Sequence, residues 1–152
     1  MIHLEKEMTY RVKTSHPLGP TYGSPRATLQ YWQVAEAELS GPRIKAQLAA
    51  TGLDWMQVSE DGFWRPNVRA QFLTHDGAVV LMSYIGLVEQ TASFKRAAEA
   101  NEPTDWDDQY MRLSVTFNTG DARYAWMNQS LFIAAGRLLG TGHIEYSIFR
   151  IT

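Results

Sequence analysis

With 152 residues, 45% of them apolar, and a formal net charge of −2, the chain has the material for one domain with a real core. Its basic residues are scattered rather than clustered, so no phosphate-binding surface is expected and nucleic acid is not an expected partner. The absence of cysteine removes disulfides, thiolate metal sites and cysteine nucleophiles, and fits a cytoplasmic protein. The start, MIHLEKEMTYRVK, is charged early and lacks a continuous apolar run, so neither a signal peptide nor a membrane span is expected there.

Period-two alternation dominates the chain. Leu4, Met8, Tyr10 and Val12 alternate with His3, Glu7, Thr9 and Arg11, the pattern of a strand with one buried face. Ser15 to Pro25 holds three prolines and two glycines and is expected to be a loop. Strands are predicted from Ala27 to Leu39, from Arg43 to Leu48 after the Gly41-Pro42 turn, and from Asp54 to Val58. Trp64 to Thr74 and Ala78 to Leu87 flank His75-Asp76-Gly77, and Asp-Gly between alternating apolar runs is a strong hairpin signal. If Asp76 and Gly77 are the two loop residues, Arg69 lies opposite Tyr84. Arg69, Gln71, Met82 and Tyr84 then share one face, and Phe72, Val79, Leu81 and Ile85 the other.

Glu89 to Ala100 is the one good helical stretch, stopped by Asn101-Glu102-Pro103. Further strands are predicted at Gln109 to Asn118, Gln129 to Arg137 and His143 to Ile151. The expected fold is therefore mainly β: a single antiparallel β-barrel of about eight to nine strands with one short helix, spanning residues 1–152. A closed barrel is favoured over a sandwich because closure removes the edges of many long strands.

Residues 117–128, FNTGDARYAWMN, crowd Tyr124, Trp126 and Asn128 into a short connection between two strands. Turn chemistry explains Asn118, Gly120 and Asp121 but not the rings. The rings either line a ligand site or plug a barrel end. Four histidines, His3, His16, His75 and His143, have no metal-ligand spacing, and no metal or other cofactor is expected. No phosphate loop, dinucleotide fingerprint or nucleophile elbow is present.

What remains is an inventory of phenols, indoles, an arginine and a few carboxylates. Tyr31 and Trp32 are adjacent, so one points inward and the other outward; Asp54-Trp55 repeats the theme. An inward carboxylate in an apolar barrel has a raised pKa and can serve as an acid or base. An inward Arg69 can hold a carboxylate or phenolate in a bidentate pair. Alternatively, Asp54 caps a turn and Arg69 pairs with it or with Glu36 inside the wall.

These pieces run in a familiar order: Leu18-Gly19-Pro20 with Arg26, Leu39-Ser40-Gly41-Pro42-Arg43-Ile44-Lys45, Asp54-Trp55, Arg69 ahead of Asp76-Gly77-Ala78, Gly86, Phe117 to Asn128, and Glu145-Tyr146 to Arg150-Ile151. In that order they resemble the domain-of-unknown-function 3237 family, also called uncharacterised protein family 0311. The resemblance implies a small antiparallel barrel, often dimeric, with an internal pocket. Some members are associated with bacterial breakdown of lignin-derived aromatic dimers, where they look like cofactor-free lyases. The chain departs from the family pattern at Val34-Ala35-Glu36, where paired glycines are common, and in the insertion-like stretch Ser93 to Asp108.

Together, residues and resemblance lead to one expectation: a cofactor-independent lyase acting on a small phenolic aromatic through a quinone methide. Arg69 is the expected anchor. Tyr84, Tyr31 or Tyr124 exchanges protons, Asp54 or Glu36 is the base, and Trp55, Trp126, Asn128 and Met82 shape the pocket. The rival expectation is a small-aromatic-binding barrel without chemistry.

Overall fold

The computed structural model describes all residues from Met1 to Thr152. Ten strands form one closed antiparallel sheet: β1 (Leu4–Ser15), β2 (Leu29–Gly41), β3 (Ile44–Leu48), β4 (Gly52–Val58), β5 (Phe63–Arg65), β6 (Asn67–Thr74), β7 (Val79–Glu89), β8 (Met111–Asn118), β9 (Leu131–Gly140) and β10 (His143–Ile151). β10, β9, β8 and β7 follow β1 in order; β7 pairs with β5 and β6, these with β3 and β4, and those with β2, which closes the ring on β1. The barrel class agrees with the sequence reading, and the strand count exceeds it slightly. Pro66 accounts for the tenth strand. It has no N–H to give the ladder, and it splits one long run into β5 and β6 that keep the same register on β7, Phe63 against Glu89 and Leu73 against Val79.

Helix α1 (Ala92–Ala100) starts three residues later than the sequence suggests, because Glu89 still belongs to β7 and Thr91 supplies the N-cap, its hydroxyl accepting from the Phe94 N–H. It ends on Asn101 in the left-handed region at φ 55°. A second short helix, α2 (Ala125–Asn128), lies inside the connection between β8 and β9.

The hairpin between β6 and β7 differs from expectation by one residue, and that residue decides which side chains reach the interior. Its loop has three residues, His75 to Gly77, because Thr74 faces Ala78. The Thr74 Oγ1 accepts the Ala78 N–H at 2.7 Å and donates to Asp76 Oδ1 at 2.6 Å, while Gly77 takes φ 89°. Arg69 consequently lies opposite Ser83, and Val68 opposite Tyr84. A one-residue slip in a β ladder exchanges its two faces. Tyr84 and Met82 point inward with Val68 and Phe72, whereas Arg69 and Gln71 point outward with Val79, Leu81 and Ile85.

The core is the barrel interior, filled by alternate residues of every long strand: Met8, Tyr10 and Val12 of β1, Leu113, Val115 and Phe117 of β8, and Tyr146 and Ile148 of β10 among them. Two ends result. At the lower end, residues 117–128 fold back as a plug with Tyr124 and Met127 buried. The upper end carries the connection between Ser15 and Leu29.

Candidate functional site

One row of register partners crosses the interior: Trp32, Asp54, Val68, Tyr84, Val115 and Phe132, each opposite the next on β2, β4, β6, β7, β8 and β9. Alternation points this row inward, so an indole, a carboxyl and a phenol share one tier. Tyr10 and Tyr146, themselves partners across β1 and β10, stack at 5.7 Å between ring centroids. The Tyr10 and Tyr84 hydroxyls meet at 3.3 Å, long for an O–H···O bond. Gly136 makes room for this stack, since a Cβ there would collide with the Tyr146 ring and the Met111 sulfur.

Asp54 is 5% exposed and pairs with no cation. Its Oδ1 accepts the Asn67 N–H at 2.9 Å. Burial pushes the carboxyl up to about 6, partly countered by that bond. The Tyr10, Tyr84 and Tyr146 hydroxyls are driven upward first by burial, with the Asp54 charge adding to each. These phenols stay protonated at any physiological pH. Opposite Asp54, the Trp32 Nε1–H is buried without a hydrogen-bond partner, and its ring lies 4.3 Å from His16. An unpaired buried donor is costly, and in a polar site it marks where an acceptor belongs.

Of the residues picked out by sequence, Asp54, Tyr84 and Met82 are buried inside the barrel. Seven others do not join them, four of them on the outer wall. Arg69 is on the outer wall, donating to Asn67 Oδ1 and the Val68 carbonyl at 3.0 Å each, because of the hairpin slip. Glu36 is outside and paired with Lys13 at 3.4 Å. The cause is a bulge at Ala35: Lys13 faces Glu36 but Thr14 faces Val34, so the extra residue turns Glu36 away from the face that Trp32 and Val34 share. Tyr31 and Trp55 pack against each other at 5.5 Å on the outer face, as immediate neighbours of inward Trp32 and Asp54.

Tyr124, Trp126 and Asn128 belong to the lower plug, which favours the structural alternative for that segment. Tyr124 donates to Asp76 Oδ1 at 2.8 Å. The Arg43 guanidinium covers the Trp126 ring at 3.6 Å. Asn128 clasps Thr119 at both ends, donating to its carbonyl at 2.8 Å and accepting its N–H at 2.9 Å. Tyr10, Tyr146 and Trp32 are site residues that sequence inspection did not select. Alternation with Met8 and Val12 already put Tyr10 on the buried face. No three His, Asp or Glu side chains converge in a way that could hold a metal ion.

A protein-family model described as a protein of unknown function (DUF3237) matches residues 2–151. Among curated relatives, the UPF0311 protein RPA1785 of Rhodopseudomonas palustris is 29% identical over 98 residues, which is 64% of this chain and 64% of that protein. The UPF0311 protein CA_C3321 of Clostridium acetobutylicum is 24% identical over 106 residues, 70% of this chain and 67% of that one. In three dimensions the chain is similar to the solved RPA1785 structure, with TM-score 0.88, 19% identity and coverage of 100% and 99% of the two chains. It is also similar to a β-barrel-like protein from Acinetobacter baumannii, with TM-score 0.82, 22% identity and coverage of 100% and 97%. At these identities the structural likeness shows the barrel fold alone. With the family match running from the second residue to the next-to-last, the chain belongs to the DUF3237 (UPF0311) family of proteins of unknown function.

Proposed function

We propose that the protein is a cofactor-independent lyase acting on a small phenolic aromatic in the upper barrel. The observation that carries this reading is the pairing of Asp54, an uncompensated carboxyl lifted to about 6, with phenol hydroxyls that hold their protons in the same tier. Pairs of groups whose environments push them toward opposite roles are the mark of acid–base chemistry.

In this reading Asp54 is the base. It takes the phenol proton of a para-hydroxyaryl substrate, and the electron pair moves through the ring to expel the benzylic oxygen. Tyr84 protonates that leaving oxygen and is relayed through Tyr10. The resulting quinone methide is an electron sink. When the adjacent C–C bond breaks, its electron pair fills the new C=C bond and restores the phenolate; the Tyr84 phenolate takes the hydroxymethyl proton as formaldehyde leaves, or regains its proton from solvent when the fragment is carbon dioxide. Reprotonation by Asp54 gives the stilbene. The Trp32 N–H supplies a donor for a substrate oxygen, and Met82, Phe72 and Tyr146 form apolar walls that exclude water. Arg69 has no part in these steps. Bacterial aromatic catabolism, lignin-derived substrates, a cytoplasmic location and a homodimer go with this reading; the dimer has support from outward Leu73, Val79, Leu81 and Ile85, each between 46% and 58% exposed.

The second reading is a binding barrel without chemistry, favoured by the unpartnered Trp32 donor, which suits a ligand acceptor whether or not bonds break. Incubation of chelator-treated protein with phenolic lignin-type dimers, followed by near-ultraviolet absorbance, separates the two. Growth of a stilbene band that Asp54→Asn and Tyr84→Phe each reduce by about 100-fold or more supports the lyase. A rise in melting temperature without a spectral change leaves the binding barrel. Turnover that survives both substitutions refutes the assignment of the site.

A further inference from the structure

Outside the barrel wall, beside the upper rim, lies a second and separate site. The connection between β1 and β2 arches over the outer face of β2 and β4 and encloses a cleft of about 660 Å³. That size is in the usual range for small-molecule pockets. The loop that forms it contains the Leu18-Gly19-Pro20 and Arg26 stretch that the interior chemistry leaves unused.

The cleft is preformed. Thr21 donates its N–H to the Leu29 carbonyl at 2.9 Å and accepts the Leu29 N–H on its Oγ1 at 3.0 Å, which ties the loop to the start of β2. The Ser24 N–H reaches the Thr21 carbonyl at 3.2 Å, and the Arg26 N–H reaches Ser24 Oγ at 3.2 Å. The Gln30 amide holds the Leu18 carbonyl at 3.1 Å. Such a loop loses little freedom when a ligand arrives.

Its lining combines two chemistries. Leu18, Leu29 and Trp55 are 77%, 38% and 52% exposed, a cluster of apolar side chains left in water at one spot. Tyr31 and Trp55 meet edge to face at 5.5 Å and an interplanar angle of 61°, which presents ring surface to the cleft. On the same wall Arg26 makes no salt bridge, and its only hydrogen bond is through the backbone. Arg11, Arg43, Arg65, Arg123, Arg137 and Arg150 pair with carboxylates; Arg69, Arg96 and Arg112 do not, but each guanidinium has a neutral hydrogen-bond acceptor, which that of Arg26 lacks. An uncommitted guanidinium beside open aromatic faces matches a planar ring that bears a carboxylate, which the fork of an arginine takes in a bidentate pair.

We propose that this cleft binds an aryl carboxylate, its ring against Tyr31 and Trp55 and its carboxylate on Arg26. The site is independent of the interior row, because Asp54 and Trp55, adjacent in the chain, face opposite sides of the wall.

Isothermal titration of the full chain with benzoate, with benzyl alcohol and acetate as the neutral and the ring-less counterparts, tests this. Benzoate is expected to bind best, and Arg26→Gln and Trp55→Ala are each expected to weaken it about tenfold or more. Arg69→Gln removes the same charge from an outer-wall position that does not line the cleft and is expected to leave benzoate binding unchanged. All three substituted side chains are solvent-exposed, and thermal melts report whether each variant folds. The proposal is overturned if benzoate does not bind, if Arg26→Gln binds it as the parent does, or if Arg69→Gln weakens it equally. It is also overturned if sedimentation shows a dimer and benzoate binds only after dilution to monomer, for then a second copy of the chain covers the cleft. The stilbene assay on Arg26→Gln separates this site from the interior, since failure of either proposal leaves the other's readout intact.

Discussion

Asp54→Asn is expected to stabilise the protein at neutral pH while removing its proposed chemistry. Asp54 is buried with one backbone hydrogen bond and no cation, and its carboxyl rises from 3.8 to about 6. The protonated form is therefore favoured by the folded state. That stabilising contribution is complete below about pH 4 and is lost as the pH rises through about 6. A lift of this size corresponds to about 3 kcal/mol once the pH is above both values. Asparagine keeps an oxygen for the Asn67 N–H but carries no charge, so it escapes the loss. Whatever fixed amount the amide gains or loses in new contacts cancels when the two proteins are compared at two pH values. The difference in unfolding free energy should then move toward the variant by about 2.5 kcal/mol between pH 4 and pH 8. Urea denaturation at several pH values on both proteins measures it. A difference that stays flat, or that moves toward the parent, would mean that the carboxylate is solvated or paired, and the pKa reasoning behind the site would fall with it.

The same lift implies that kcat/KM for a phenolic substrate rises with pH through a limb near 6, since the base must be ionised; a limb near 4 would remove Asp54 from that role. Gly136→Ala should destabilise the barrel by about 1–3 kcal/mol in urea melts, because the added methyl meets the Tyr146 ring and Met111 at contact distances that require movement. Asn128→Ala should cost about 1–2 kcal/mol by breaking both bonds to Thr119, and turnover in the folded fraction should persist, which separates a clasp from a ligand-binding amide. Stability should also fall on the acid side, because Glu7 and Glu145 resist the upward push of burial through hydrogen bonds and charge from Arg43 and Arg150, and from Arg11 and Arg137, and so sit below the usual range. Their contribution is present at neutral pH and lost as they protonate, and Glu145→Gln should flatten the acid limb of the melting curve.

The barrel was legible because alternation is a local property. Met8, Tyr10 and Val12 on one face need no knowledge of the partner strand. The site was legible only in part because it depends on parity, and parity accumulates through connections. A side chain, Thr74, takes the Ala78 N–H and fixes the β6–β7 loop at three residues, which carries Arg69 out and leaves Tyr84 in. One extra residue at Ala35 does the same to Glu36. Asp54 and Trp55 posed a choice between neighbours, and β4 buries Gly52 and Asp54 while Trp55 faces out. Trp32 could be narrowed to one of two neighbours, with no means of choosing between it and Tyr31. The aromatic segment at 117–128 drew attention for a good reason, yet its rings satisfy Asp76, Arg43 and the core.

That plug closes one end of the barrel with Tyr124 and Met127 buried, so in the proposed reading a molecule bound at Asp54 would enter and leave at the opposite rim. For a reaction that splits one molecule into a small fragment and a large one, the fragment generated deeper has to pass its partner or wait for it. Release would then be ordered by depth, and the larger product would compete directly with incoming substrate for the same passage.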